Sequence, residues 1–362
     1  MKLLVIGVGN CGSRIAGAFS DLNRKAKTER RVQIVTTAYA VNNNREELAS
    51  LSRAKDIQAI FVNKSFDYGK ESAVTGAEIM KIEGGRVLTG IKPGDFYDTD
   101  AVFLIAATAG CFGSGGVPVL AQQLKDRHLG KPIYVLAVLP FESENDQENT
   151  VYNTAICLKS LQKITDAVFL ASNEKFRQLG KASSDNNAKE LAVINNEIAG
   201  LFYDILCASE TIDSKMVGAR SLGIGDVLQT LTGWTAIGAG KADFPMSRNV
   251  WKAMPNFQEK GSDTQKSMEA MNVALSNLSI DIKLEDTYKA LYLLSIPAQS
   301  ANLDMVKTLG NRLMEITDNA LIRGGDFYGA RDHAMVTLIF SDLAFVESIK
   351  KYFDKAVDIA KT

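Results

Sequence analysis

The sequence holds little of what metal or disulfide chemistry needs. Only two histidines occur, His128 and His333, far apart in the chain. No cluster of side chains has metal-ligand spacing, so a zinc site is not expected. The four cysteines, Cys11, Cys111, Cys157 and Cys207, form no C-x-x-C pair. Each stands in an apolar or glycine-rich stretch, as reduced thiols of a cytosolic protein do. Neither charge is in excess: 41 basic residues face 42 acidic ones, a net charge of −1. Nucleic-acid and anionic-membrane binders normally carry a basic surplus, so neither partner is expected. No apolar run approaches the ~20 residues of a membrane span. The opening MKLLVIGVGN is a strand and a turn, without the apolar stretch and cleavage site of a signal peptide. A cytoplasmic location is therefore expected.

What remains is the material of a globular α/β chain. A length of 362 residues favours two domains and a core that needs no cross-links. Apolar strand patterns lie at Leu3–Ile6, Val32–Ala40, Ile57–Val62, Ala101–Ala107, Pro132–Leu139 and Ala167–Leu170. Helical patterns fall between them: Ile15, Ala18, Phe19 and Leu22, then a helix beginning at Val119–Leu124, then Asn149–Ile164. Strands alternating with helices predict a Rossmann-like parallel sheet covered on both faces. After the polar stretch Lys181–Asn187, Leu191, Ile194, Ile198, Leu201, Phe202, Ile205 and Leu206 recur at helical spacing, as one long helix. The expected division is a nucleotide-binding domain over 1–185, a central helix over 186–208, and an α+β domain over 209–362. In that last part a helix near Asp226–Thr232 leads into Trp234–Gly240. Strands Leu291–Ser295 and Met335–Phe340 flank a helix at Leu303–Ile316. Phe345, Ile349, Phe353 and Val357, at steps of four, predict one apolar stripe on the final helix.

Two glycine-rich segments carry the chemistry. Gly7-Val-Gly9-Asn-Cys-Gly12 is a G-x-G-x-x-G that follows a strand and opens a helix. Glycines permit the tight turn and close approach of backbone to phosphate, and the helix N-terminus offers free N–H groups to an anion. The same spacing also serves a packing turn that binds nothing. A dinucleotide reading would need an acid at the end of the second strand for a ribose. Asn42, Asn43 and Asn44 stand there instead, with Glu46 and Glu47 beyond. Ala109-Gly110-Cys111-Phe112-Gly113-Ser114-Gly115-Gly116 is the second segment, read as a loop between a strand and a helix opened by Pro118. Two such cradles on one sheet suit a ligand with a long phosphate tail.

The order of these loops resembles the tubulin/FtsZ superfamily of filament-forming GTPases, and within it the archaeal CetZ-like branch. Gly9-Asn-Cys-Gly12 is similar to GQCG, and Ala40-Val-Asn42-Asn-Asn44 to AVNTD. The segment 109–115 stands where the family has GGGTG[ST]G. Leu139-Pro140-Phe141-Glu142-Ser143-Glu144 resembles KPFxxE, and Ala171-Ser-Asn173-Glu-Lys resembles IPND. Ser221-Leu-Gly-Ile-Gly-Asp226-Val resembles NVDFADV, and Gly233 to Gly240 the GxAxxGxG after it. The match runs in order from Met1 to about Phe340.

The resemblance implies a GTP/GDP site with Mg²⁺, in a GTP-binding domain followed by an activation domain. Gly9, Asn10, Cys11 and Arg14 would lie at the diphosphate. Gly110, Cys111, Phe112, Gly113, Ser114 and Gly115 would surround the phosphates. Asn42 and Asn44 would flank the γ-phosphate and Mg²⁺. Pro140 and Glu144 would belong to the ribose loop, with Glu144 reaching the sugar. Asn173 and Asn196 would read the guanine edge, for which an amide offers both donor and acceptor. It also implies head-to-tail self-association, with Asp226 of one subunit completing the site of the next.

The chain departs from the pattern at several places. Phe112 replaces a threonine and cannot donate a hydroxyl hydrogen bond, so it either packs under the loop or crowds the site. Gly223 replaces one of the loop's two acids, which predicts slower chemistry, because phosphoryl transfer depends on orientation and charge stabilisation. The arginine expected beyond Glu144 is absent from Asp146-Gln-Glu-Asn149. The chain stops at Lys361-Thr362, so the linker and partner-binding peptide of bacterial FtsZ are not expected. Three rivals stay open: a non-hydrolysing or regulatory member of the superfamily, an NAD-dependent oxidoreductase using Gly7–Gly12, and an interaction protein that keeps the fold without a ligand.

Overall fold

A computed structural model describes residues 1–62, 72–127, 130–180, 187–210, 218, 220–244, 257–298, 303–318, 320–329 and 332–361. His128 and most of the polar stretch 181–187 lie outside the described residues. Two compact units divide the chain: Met1–Gly200 with Phe345–Thr362, and Leu201–Ala344.

The first unit alternates strand and helix. Its elements are β1 (Leu3–Val8), α1 (Gly9–Glu29), β2 (Val35–Asn42), α2 (Arg45–Ala54), β3 (Gln58–Phe61), α3 (Ala73–Gly90) and α4 (Pro93–Tyr97). There follow β4 (Ala101–Ala107), α5 (Cys111–Asp126), β5 (Ile133–Leu139), α6 (Glu148–Ile164), β6 (Ala167–Ser172), α7 (Asn173–Gln178) and α8 (Asn187–Gly200). The strands pair in parallel in the order β3-β2-β1-β4-β5-β6. Every residue of β1 and β5 is buried. That is why these strands read as unbroken apolar runs: both faces are covered by helices. Phe19 of α1, Phe103 of β4 and Phe169 of β6 stack edge to face, with centroids 5.5 and 5.9 Å apart. Each such contact contributes about 0.5–1.5 kcal/mol beyond area burial.

Helices α3 and α5 touch backbone to backbone. A Cβ on Gly115 would overlap the Ala73 carbonyl oxygen and stand 2.6 Å from the Ala77 nitrogen. A Cβ on Gly76 would overlap the Cys111 carbonyl oxygen. Asn153 of α6 fixes this junction. Its Oδ1 accepts from the Ala73 N–H at 2.7 Å, and its Nδ2 donates to the Ala109 carbonyl at 2.9 Å. One amide thus satisfies the first N–H of α3 and pins the chain before α5.

The second unit contains α9 (Tyr203–Glu210), α10 (Ile224–Thr230), β7 (Gly233–Asp243), α11 (Phe257–Ser276), β8 (Thr287–Ser295), α12 (Leu303–Ile316), β9 (Leu321–Phe327) and β10 (His333–Leu343). Its strand order is β7-β10-β8-β9, antiparallel except for the parallel pair β8–β9. Gly238 and Gly240 seat α11 on β7: a Cβ on Gly238 would stand 2.5 Å from the Ala274 carbonyl oxygen. The glycines of that motif are therefore packing positions. The last helix, α13 (Glu347–Ile359), groups with the first unit and packs on α6.

Several expectations need correction. The segment 111–116 is already the start of α5, and Pro118 lies inside the helix rather than opening it. The long helix is broken by a turn at Leu201–Phe202 into α8 and α9. Within Ala188–Glu210 an 18-residue window is long and apolar enough to cross a membrane, contrary to the reading of the apolar runs, but 61% of that window is buried in the protein. On α13 the buried residues are Ile349 and Tyr352, with Val346 just before them, while Val357 is exposed. The apolar stripe therefore runs at steps of three. The compact units group Phe345–Thr362 with the first unit in space, while the sequence division follows the chain to 362.

Candidate nucleotide site

The strand order of the first unit reverses between β1 and β4, and ligands of open parallel sheets lie at such a switch point, beyond the carboxyl ends of the strands. Two helices begin there. The chain passes from Val8 at the end of β1 directly into α1 through Gly9, whose φ of 76° suits a residue without a Cβ. Gly110 precedes α5 and is exposed, with open space where its Cβ would be. A Cβ on Gly9 would stand 3.5 Å from the Gly113 nitrogen, so the two helix starts lie side by side. Neither start has a side-chain cap or an acidic residue in its first turn. The contrast is α2, where Asn44 accepts from the Glu46 and Glu47 N–H groups and both acids occupy the first turn. Two adjoining N-termini without side-chain caps turn the positive ends of two dipoles to one place.

The side chains around this place fall into three groups. Asn42 is buried, donates from Nδ2 to Asn10 Oδ1 at 2.6 Å, and accepts at Oδ1 from the Asn43 and Asn44 N–H groups at 2.8 and 3.3 Å. Beside it an open depression of about 510 Å³ is lined by Asn10, Asn43, Asn44, Arg45 and Glu46. Arg14 forms a two-pronged ion pair with Glu47, Nε to Oε1 at 2.6 Å and Nη2 to Oε2 at 3.1 Å. Here Arg14 is held by a carboxylate of α2, a partner the sequence reading did not foresee. Asn44 likewise serves as a helix cap in this structure.

The second group is the start of α5. Ser114 is buried, and its hydroxyl turns back to the Gly110 and Cys111 carbonyls at 2.5 and 3.3 Å. Cys111 donates from Sγ to the Ser72 carbonyl at 3.0 Å. Phe112 is 8% exposed, and its Cδ1 lies 3.9 Å from the position of a Gly9 Cβ. The aromatic ring packs between the two helix starts and leaves the exposed Gly110 side open.

The third group faces the other end of the crevice. Pro140 is buried after β5, and Glu144 Oε2 accepts from the Phe141 N–H at 2.8 Å, closing a short turn. Asn173, the first residue of α7, is 8% exposed, and its Oδ1 is buried without a hydrogen-bond partner. A buried orphan acceptor costs about 1–3 kcal/mol, which a ligand donor would offset. Asn196 is exposed, whereas Asn195 is buried and accepts from Cys11 Sγ at 3.9 Å. The phase of Ile194 and Ile198 on α8 turns residue 195, not 196, toward α1. Burial pushes the Cys11 thiol up to about 12, against the nearby positive charge of Arg14 and assisted by Glu144.

Cys11 alkylation by iodoacetamide is therefore expected to be slow at pH 8. Its rate should rise about tenfold per pH unit up to about pH 11, where an ordinary thiol levels off above about pH 9. Mass spectrometry of the labelled peptide reads this directly, and a plateau near pH 9 would contradict the raised pKa of this half-buried thiol.

Asp226 lies in the second unit, in the first turn of α10. Its Oδ2 accepts from the Gly223 N–H at 3.0 Å, its Oδ1 faces Arg323 Nε at 3.5 Å, and its side chain is 45% exposed. Among the described residues no group of three or more His, Cys, Asp or Glu side chains gathers at one point. A bound Mg²⁺ would rely mainly on phosphate oxygens and water, as this ion commonly does.

Two family models match the chain in succession. Residues 2–181 match the GTPase domain of the tubulin/FtsZ family, and residues 185–358 match the C-terminal domain of tubulin-like CetZ. The chain belongs to the tubulin/FtsZ family. Tubulin-like protein CetZ1 of Haloferax volcanii is 25% identical over 379 residues, covering 99% of this chain and 92% of the relative. Tubulin-like protein CetZ of Pyrococcus abyssi is 25% identical over 299 residues, covering 80% of this chain and 76% of the relative. Among solved structures, CetZ2 of H. volcanii, a GTPγS-bound protofilament, superposes with a TM-score of 0.82 at 23% identity, over the whole of both chains. CetZ1 of H. volcanii, a GDP-bound monomer, gives 0.81 at 23% identity, over 99% of this chain and all of that one. The two uncapped helix starts and the crevice between them thus sit in the family's GTPase domain.

Proposed function

We propose that this protein binds GTP and GDP in the crevice of its first unit, assembles head-to-tail into filaments, and hydrolyses GTP at the contact between subunits. The observation that carries the reading is the pair of adjoining, uncapped helix N-termini at the switch point between β1 and β4. Nothing in their first turns neutralises the positive dipole ends, so an anion with several phosphates fits them. The backbone N–H groups from Gly9 to Cys11 and from Gly110 to Gly113 would hold the phosphates. Asn42, fixed by Asn10, would shape the far end of the phosphate chain. Arg14 would stay beside the diphosphate as a charge held in place by Glu47. Pro140 and Glu144 would border the ribose, and Asn173 with the exposed Asn196 would meet the base. The orphan Asn173 Oδ1 fits a guanine N–H donor.

Bound GTP supplies the β–γ phosphoanhydride, and Mg²⁺ would be carried with its phosphates. Asp226, half-exposed on a different unit from the crevice, would act on the nucleotide of a neighbouring subunit and orient the attacking water. A contact that joins two different faces of one subunit repeats without closing, which yields an open polymer. The protofilament of the H. volcanii relative and that of TubZ from Bacillus thuringiensis serovar israelensis support this assembly. A second reading, assembly without turnover, draws on Gly223, which leaves Asp226 as the loop's single acid.

The test is thermal stability with GTP, GDP, ATP or NAD, each with Mg²⁺, followed by pelleting and phosphate release. A ligand at 100 times its Kd adds about 2.7 kcal/mol of stability. A shift with guanine nucleotides and GTP-dependent pelleting are expected. Asn173→Ala should lose most of the preference for GTP over ATP while keeping phosphate affinity. A shift with NAD alone, or none at all, would overturn the reading. Pelleting without phosphate release would select the second one.

A further inference from the structure

Arg323 stands on β9, and no motif of the sequence pointed to it. We propose that Arg323 is the positioning residue of Asp226: β9 serves as a rigid bed for the acidic loop, and Arg323 aims and charge-balances the carboxylate. The inference rests on the trans role of Asp226 proposed above.

Four contacts tie the loop and α10 to this strand. Asp326 Oδ1 accepts from the Arg220 N–H at 2.7 Å, and the Asp326 N–H donates to the Arg220 carbonyl at 2.9 Å. The chain lies flat on β9, because a Cβ on Gly325 would stand 2.5 Å from the Arg220 carbonyl oxygen and 3.0 Å from the Leu222 nitrogen. Arg323 Nη2 then donates to Gln229 Oε1 at 2.7 Å, which fixes the guanidinium plane against α10. Its Nε faces Asp226 Oδ1 at 3.5 Å. From β8, Lys289 Nζ reaches Thr232 Oγ1 at 3.0 Å and the Gln229 carbonyl at 3.4 Å, holding the other end of α10.

Burial orders the pair. The Asp226 side chain is 45% exposed and that of Arg323 only 23%, so the carboxylate lies outermost with the cation behind it. With Oδ2 on the Gly223 N–H and Oδ1 toward Arg323, the carboxylate has a defined plane before any neighbour arrives. An exposed ion pair contributes little to stability, so orientation is the larger effect. Charge matters at the contact. A lone carboxylate brought against a triphosphate is repelled, and an adjoining guanidinium offsets that repulsion. The replacement of the second acid by Gly223 makes the aim of the remaining one more important.

The test uses the full chain and its R323A, R323K, D226A and R323A/D226A variants. Nucleotide affinity of the free subunit, polymer pelleted with GTP, and phosphate released per pelleted subunit are measured. R323A is expected to bind GTP within about twofold of the wild type, since β9 belongs to the other unit, and to release phosphate about 10- to 100-fold more slowly. R323K should restore part of the rate, because it returns the charge without the fork that holds Gln229. The double variant should be no slower than D226A, which a merely structural residue would not produce. If R323A yields no polymer, R323Q is measured in its place, with the same slow release expected. Wild-type release by the Arg323 variants alongside a slow D226A overturns the inference, as do losses that multiply in the double variant. Wild-type release by D226A overturns the trans-acid reading and this inference with it.

Discussion

Asp226→Ala is expected to lower GTP turnover about 100- to 1,000-fold, the usual consequence of removing one preorganised group from a phosphoryl- or acyl-transfer site. The fold should survive it. The side chain is half-exposed, and its internal partners are one backbone N–H and one surface arginine, so the stability loss should stay near the ~1 kcal/mol of a helix cap. GTP affinity of the free subunit should not change, because the crevice and Asp226 belong to different units. Polymer should persist longer, since its nucleotide is consumed more slowly. Phosphate release per pelleted subunit is the measurement, and an unchanged rate would remove Asp226 from the chemistry. Asp226→Asn would separate charge from shape, because the amide can still accept from Gly223.

Gly115→Ala is expected to destabilise the first unit by about 3 kcal/mol or more, the upper range for forcing a methyl into close-packed backbone. The new Cβ would overlap the Ala73 carbonyl, and neither helix can yield without losing the Asn153 bridge between them. A loss of that size corresponds to a fall in Tm of about 6–12 °C for a unit of this size. Nucleotide affinity should fall too if, as proposed, the N-terminus of α5 holds the phosphates. Gly85→Ala is the control on the same helix pair. Its Cβ would meet nothing within 4 Å on the outer face of α3, so it should be neutral or stabilise by up to about 1 kcal/mol. Thermal melts of the two variants suffice, and equal melting temperatures would refute the backbone contact.

The strands β1, β4 and β5 were legible because burial on both faces leaves a continuous apolar record, and the turn at Gly7–Gly12 because three glycines punctuate it. Helix α3 was not. Gly76, Gly84, Gly85 and Gly90 dilute any helical pattern there, yet two of them sit at close contacts: Gly76 meets the backbone of α5, and a Cβ on Gly84 would overlap Gln123. The same compression hid the start of α5, whose glycines look like a loop and are held helical by α3. Among the candidate site residues, those on strand ends and turns are the ones that motifs mark. Which of Asn195 and Asn196 is buried was not legible, since two adjacent asparagines on a helix differ only by the 100° of phase that packing resolves. Arg323 had no signal at all. Its strand, Leu321–Phe327, contains Gly324 and Gly325 and an exposed Leu321, a poor pattern for a strand whose two glycines accommodate Tyr292 and the 220–222 segment.

The return of α13 to the first unit bears on how the protein is made. The face of α6 that receives Ile349 and Tyr352, including Asn145 just before it, which accepts from the Tyr352 hydroxyl at 2.8 Å, is encoded long before its cover. A ribosome working at about 5–20 residues per second needs roughly 7–30 s to pass from the end of α8 to the start of α13. For that interval the GTPase half has its sheet and its nucleotide crevice but an uncovered apolar strip. Early nucleotide capture would favour the compact form of the unfinished half, so the supply of guanine nucleotide becomes a factor in the yield of folded subunits as well as in their assembly.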